Sequence, residues 1–219
     1  MEEIMKRAFV ILALSLLCSG IRAQDLVPSY DWACFERYAA SNEALRGSAP
    51  LAVIMGDSIT DGWFDADSAF FVGNRIVGRG ISGQVTAHML VRFRRDVLDL
   101  APRYVVILGG INDIARNLGF ISLENTLSNI ASMCELAAVH CIRPVLTTLL
   151  PAESIPWRKG LSNVTEQIQL FNQAIRAYAR ENGFILIDLA ELGVETEDGI
   201  HPTLEGYKAM EEAVLQACR

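Results

Sequence analysis

The chain has 219 residues, enough for one compact domain with a sizeable core and too few for two comfortable ones. Its formal net charge of −7 argues against nucleic acid or an anionic membrane surface as the main partner.

The first segment reads as a leader. Lys6-Arg7 precede an apolar stretch from Ala8 to Cys18, and small residues lead on to Ile21-Arg22-Ala23. A positive start, a short apolar run and a small residue at the cut make a secretory signal peptide over residues 1–23. The run is too short to span a bilayer, so no stable membrane span is expected. A lipid anchor at Cys18 is the lesser alternative, because Leu17 is bulkier than a lipid-attachment site usually tolerates. The expected product is exported, periplasmic or secreted, with residues 24–219 as a single domain. Without the leader, three fewer basic and two fewer acidic residues leave 16 against 24, a net charge of −8. Cys34, Cys134, Cys141 and Cys218 remain, none with C-x-x-C metal spacing. A Cys134–Cys141 disulfide and buried free thiols both fit.

Residues 31–38 read as an amphipathic helix with Trp32, Phe35 and Tyr38 on one face. Strands follow at 51–55 and 75–77, then a helix over 84–98. Residues 104–108 form a continuous apolar run, as a strand buried on both faces requires. Residues 122–139 are helical, 144–149 a strand, and 164–182 a long amphipathic helix stopped by Gly183. A last strand at 184–187 and a last helix at 203–217 complete the pattern. Five strands alternating with helices predict an α/β fold: a parallel sheet with helices on both faces. Ligands of such sheets sit outside the carboxyl ends of the strands. Ser58, the turn at 78–83, the turn at 109–113 and the loop after Leu150 all fall at those ends.

Four constellations carry chemistry. In the first, Gly56-Asp57-Ser58 follows the first strand and presents a hydroxyl at the rim of the sheet. Asp57 reads as a helix cap and Ser58 as a nucleophile, although a cap would also suit it. In the second, Asp198-Gly199-Ile200-His201 offers a base and the carboxylate that orients it within one loop. The other two histidines, His88 and His140, fall in or at the end of helices, where packed or solvated imidazoles are the plainer explanation. The third, Gly109-Gly110-Ile111-Asn112-Asp113, places the amide of Asn112 at the crevice as a donor to a developing oxyanion, with a turn-forming Asn as the competing explanation. The fourth, 78–83, matches G-x-G-x-x-G, but the acidic residue that a dinucleotide site needs at the next strand end is absent. Its glycines are better explained as backbone that approaches the reacting acyl group.

These blocks, in this order and at this spacing, resemble those of the SGNH (GDSL) hydrolases from about Leu51 to the end of the chain. The resemblance implies a flavodoxin-like three-layer sandwich, with Ser58 as nucleophile, His201 as base and Asp198 as its partner. It also implies an oxyanion hole made by the backbone N–H groups of Ser58 and Gly83 and the side chain of Asn112. Gly83 matches the family's donor glycine better than Gly80. No metal or other cofactor is expected. Trp63, Arg79 and Trp157 are the candidate substrate contacts, with Phe64, Arg75 and Arg158 nearby. Aromatic faces suit a sugar and arginines suit carboxylate or phosphate. With no apolar segment long enough for a deep acyl tunnel, the expected substrate is a small-molecule or carbohydrate ester with a short acyl group, acetyl above all. A lysophospholipase or thioesterase, and a non-catalytic carbohydrate-binding module on the same fold, are the alternatives.

Overall fold

The structure, a computed structural model, describes residues 31–219. The leader expected over residues 1–23 lies outside the described residues. The chain divides into two compact units, residues 1–34 and 35–219. Of the first unit only residues 31–34 are described, and they hold a turn. The helix expected over 31–38 is absent: residues 35–38 are also turns, and Cys34 takes a φ of 57°, which interrupts a right-handed helix. The first helix among the described residues, α1, covers Ala39–Ala44.

In the second unit five strands, β1 (Ala52–Gly56), β2 (Ile76–Gly80), β3 (Tyr104–Leu108), β4 (Arg143–Thr147) and β5 (Ile185–Ile187), form one sheet in the order β2-β1-β3-β4-β5. Every pairing is parallel. Between and after them run α2 (Ser58–Ala66), α3 (Ser68–Gly73), α4 (Thr86–Asp96), α5 (Ile111–Ile114), α6 (Leu123–Val139), α7 (Val164–Asn182) and α8 (Leu204–Ala217). Helices α2, α3 and α8 pack together, as do α4, α6 and α7, so the sheet is the middle of three layers. The strand order is that of a flavodoxin-like sheet. β1 and β3 are buried at every position, which is why both read as unbroken apolar runs.

Register aligns what the site needs. Gly56 pairs with Gly80 on one side and with Leu108 on the other. The turns that follow β1, β2 and β3 therefore leave the sheet side by side. The chain passes from β1 to β2 on one side and returns to β3 on the other, so this edge is the topological switch point. α2 and α3 escaped the sequence reading because each is short and the first begins on the Gly-Asp-Ser block itself. The four cysteines of the described region are free, and Cys134 and Cys218 are buried. Burial pushes the Cys134 thiol up to about 12, aided by Glu135, and the Cys218 thiol up to about 11. Among the described residues no helix is long and apolar enough to cross a membrane.

Candidate active site

β1 ends in Gly56, and Asp57 then caps α2 with its Oδ1 accepting from the Ile59 N–H at 3.2 Å. The first helical residue is Ser58. A first-turn N–H has no intrahelical acceptor, so the amide of Ser58 points outward at the positive end of the helix. Asp57 is fully buried, and that burial, with the neighbouring Asp113 adding to it, raises its carboxyl from 3.8 to about 7 despite the Ile59 bond.

Ser58 Oγ lies 2.9 Å from His201 Nε2, and His201 Nδ1 lies 2.9 Å from Asp198 Oδ2. Asp198 Oδ1 also accepts from the backbone N–H groups of Ile200, at 2.9 Å, and His201, at 2.8 Å. Partial burial alone would raise the Asp198 carboxyl. The bonds from His201 and Ile200 outweigh it and hold the group below its ordinary value. It therefore stays an anion facing the ring nitrogen remote from the serine. The loop expected to deliver both groups delivers both. His88 and His140 are engaged locally instead, His88 Nδ1 accepting from the Val85 N–H at 3.3 Å and His140 Nδ1 lying 2.8 Å from Leu136 O.

The turns beside Ser58 carry the candidate oxyanion donors. Gly83 has a φ of 79°, and a Cβ there would meet nothing within 4 Å. Among the described residues its amide has no acceptor. Gly80 is placed quite differently. A Cβ on it would lie 2.2 Å from Asp61 N and 2.5 Å from Thr60 C, so β2 can press against the first turn of α2 only because this residue has no side chain. Asp61 ties the same turn down, accepting from Ser82 N at 3.1 Å and from Ser82 Oγ at 2.8 Å. Asn112 is buried; its Nδ2 donates to Gln84 O at 3.0 Å and its Oδ1 accepts from Asn117 Nδ2 at 2.8 Å. Asp113, the next residue, accepts the Thr86 N–H at 2.9 Å and hydroxyl at 2.6 Å, which ties the turn to the start of α4. Burial raises the Asp113 carboxyl above its ordinary value.

Two of the three expected substrate contacts are elsewhere. Trp63 is fully buried, stacked with Phe70 and Tyr207 and edge-on to Phe71, and its Nε1 donates to Glu211 at 3.3 Å. It is a core side chain because α2 turns position 63 inward. Arg79 is nearly as buried: it donates to Asn42, Ser41 and Gly78 O and stacks on Tyr38. With every donor group committed, it serves α1 rather than a substrate. It lines a cavity of about 570 Å³ together with Tyr38, Phe64, Phe71 and Arg75, and that cavity includes none of Ser58, Asn112 or His201. Trp157 is where the sequence reading put it: 41% exposed, its ring centroid 5.9 Å from that of His201. Asp61, Gln84 and Asn117, which hold the turns in place, carry no motif; their partners lie 21 to 34 residues away or across a turn.

Residues 54–209 match the profile of the GDSL-like Lipase/Acylhydrolase family. The chain is similar to a GDSL-like lipase from Bacteroides thetaiotaomicron VPI-5482, with 40% identity, 86% of this chain and 98% of the other covered, and a TM-score of 0.83. It is also similar to an acylhydrolase candidate from Bacteroides fragilis NCTC 9343, with 39% identity, 87% and 98% covered, and a TM-score of 0.83. A third likeness is to the uncharacterised lipoprotein YqeF of Bacillus subtilis (strain 168), 35% identical over 79 residues. That match takes in 35% of this chain and 32% of the relative, so the chain spans about a third of the length of this curated relative. Fold, profile and solved relatives agree: the chain belongs to the GDSL-like lipase/acylhydrolase family.

Proposed function

We propose that Ser58, His201 and Asp198 form the catalytic triad of a short-chain esterase, with an acetyl ester of a carbohydrate as the natural class of substrate. The observation that carries this is the continuous pair of 2.9 Å contacts from Ser58 Oγ through the imidazole to Asp198. In the proposed reaction His201 Nε2 takes the proton as Ser58 Oγ attacks the ester carbonyl. Asp198 stabilises the imidazolium that forms and keeps the ring in the productive tautomer. The developing oxyanion is held by the N–H groups of Ser58 and Gly83 and by the free N–H of Asn112 Nδ2. His201 returns the proton to the departing alcohol. Water then repeats the sequence on the acyl-enzyme and releases the acid. No step calls for a cofactor.

Space supports the choice of acyl group. Ile59, Ile111 and Ile200 each adjoin a proposed site residue, and the void they border with Leu108 and Leu149 holds about 10 Å³. That is room for about one water-sized group, a methyl rather than a chain. The exposed face of Trp157 beside His201 suits a sugar ring as leaving group. A lysophospholipase or thioesterase would need a longer apolar channel at the nucleophile, and a binding module would bind sugar without turnover. Export is part of the same proposal. The lipoprotein name of the Bacillus subtilis relative supports it and favours a second form of it, anchored at Cys18, which palmitate labelling of the expressed protein tests. The direct test of the catalytic reading is turnover of p-nitrophenyl acetate: the Ser58→Ala variant, folded, is expected to have none.

A further inference from the structure

The side-chain amide of Asn117 sits where three parts of the site meet. Its Nδ2 donates to Asn112 Oδ1 at 2.8 Å and to Gly83 O at 3.2 Å. Its Oδ1 accepts from Trp157 Nε1 at 3.1 Å. Its backbone N–H donates to Asn112 O at 3.0 Å, closing the turn on itself. An Asn side chain has two donor hydrogens and one acceptor oxygen. Here both donors go to the two turns that supply oxyanion donors, and the acceptor goes to the segment beside the base.

This arrangement leaves Asn112 a single orientation. One of its N–H groups is directed at Gln84 O and its Oδ1 receives Asn117, so the second N–H is left for the crevice. Turning the amide over would set Oδ1 against a carbonyl and its NH2 against the NH2 of Asn117. Both contacts would be repulsive. On the other side, the bond to Gly83 O pins the peptide unit that follows the glycine amide. The Trp157 segment is itself anchored to the same turn, since Arg158 donates to Ala115 O at 2.7 Å and to Arg116 O.

We propose that Asn117 is a positioning residue for ester hydrolysis: it fixes the spacing between the Asn112 and Gly83 donors and couples both to the Trp157 segment that packs beside His201. The proposal rests on the oxyanion hole set out under the proposed function. Donors aimed at a developing charge act only when held in place, so loosening them costs rate in the transition state rather than affinity in the ground state.

The test is kcat and KM for p-nitrophenyl acetate across a small set of variants. Asn117→Ala is expected to lower kcat by about tenfold or more while KM stays within about twofold. Asn117→Asp keeps the acceptor for Trp157, loses both donors, and is expected to match it; this variant also decides the question if Asn117→Ala does not fold. Trp157→Phe, which removes the N–H together with part of the ring and leaves both Asn117 donors in place, should lower kcat by less. The losses from Asn112→Ala and Asn117→Ala should combine to less than their product, because one residue acts through the other. Folded Asn117 variants with wild-type kcat, beside an inactive Ser58→Ala, would overturn the positioning role alone. Losses that multiply in the double variant would also overturn it. Turnover retained by Ser58→Ala would overturn the site reading and this inference with it.

Discussion

The guanidinium of Arg92 donates to the carbonyl of Gly56 at 2.9 Å, reaching from the middle of α4 to the last residue of β1. The same group donates to Arg79 O at 2.9 Å, to Gln84 Oε1 at 2.6 Å and to Asp96 Oδ2 at 2.8 Å, with both charged side chains buried. One side chain thereby holds the ends of two strands and the residue whose carbonyl receives Asn112. Breaking a buried pair by removing one partner costs about 3–5 kcal/mol, because the other charge is left without compensation. Arg92→Met is expected to lower the midpoint of thermal unfolding by about 10 °C. Adding Asp96→Leu should recover part of that loss. An Arg92→Met protein as heat-resistant as the wild type would remove this cluster from the account.

Gly80 and Gly83 separate by substitution. At Gly80 a methyl would collide with the backbone of α2, and neither strand nor helix can give way cheaply. At Gly83 there is space, and the cost is a left-handed φ, about 1–2 kcal/mol for alanine. Gly80→Ala is expected to fail in expression or unfold at a much lower temperature. Gly83→Ala should fold and lose kcat as its amide shifts. A well-folded Gly80→Ala protein with impaired kcat, beside an unimpaired Gly83→Ala, would contradict the donor role proposed for Gly83 and assign it to Gly80.

Asp57 makes stability depend on pH. Its carboxyl ionises near 3.8 in the unfolded chain and near 7 in the fold. Between those values the folded state holds a proton that the unfolded state has lost, so stability falls as pH rises through this window and levels off above it. Such a difference corresponds to at most about 4 kcal/mol. Asp57→Asn keeps an oxygen for the Ile59 N–H and has nothing to ionise. The wild type should lose stability relative to this variant from pH 4 to pH 8 in urea titrations. Parallel curves for the two proteins would show that Asp57 does not titrate there.

In the proposed reaction the small void bordered by Ile59, Ile111 and Ile200 limits the length of the acyl group. The ratio of kcat/KM for p-nitrophenyl acetate over p-nitrophenyl octanoate is expected to exceed about tenfold, since a longer chain entering that void must displace packed side chains. Enlarging the void by Ile111→Ala should narrow the ratio. Faster octanoate cleavage by the wild type would contradict the acetyl preference.

Motifs made of neighbours in the chain were legible in the sequence, and so were strands buried on both faces. Ser58 follows an apolar run, and Asp198 and His201 share one short loop, so spacing alone suggests the roles proposed for them. The strand-end rule placed the Asn112 turn beside them. Asn117, Arg92 and Asp61 were not legible because each acts on a turn that is distant in sequence and adjacent only through the register of β1, β2 and β3. Trp63 and Arg79 were misread for a related reason. Residue type pointed to a sugar or an anion, but the inward face of α2 and the partners on α1 decide where these side chains go. Trp157, on a loop after β4, had no such face to bury it.

Active-site labelling separates Ser58, as the proposed nucleophile, from every other serine of the chain. Wild-type protein treated with a fluorophosphonate and mapped by peptide mass should carry the label on Ser58 alone, with esterase activity falling in step. Ser58→Ala should take up no label and hydrolyse nothing. A label on a different serine, or esterase activity that survives in Ser58→Ala, would contradict the account.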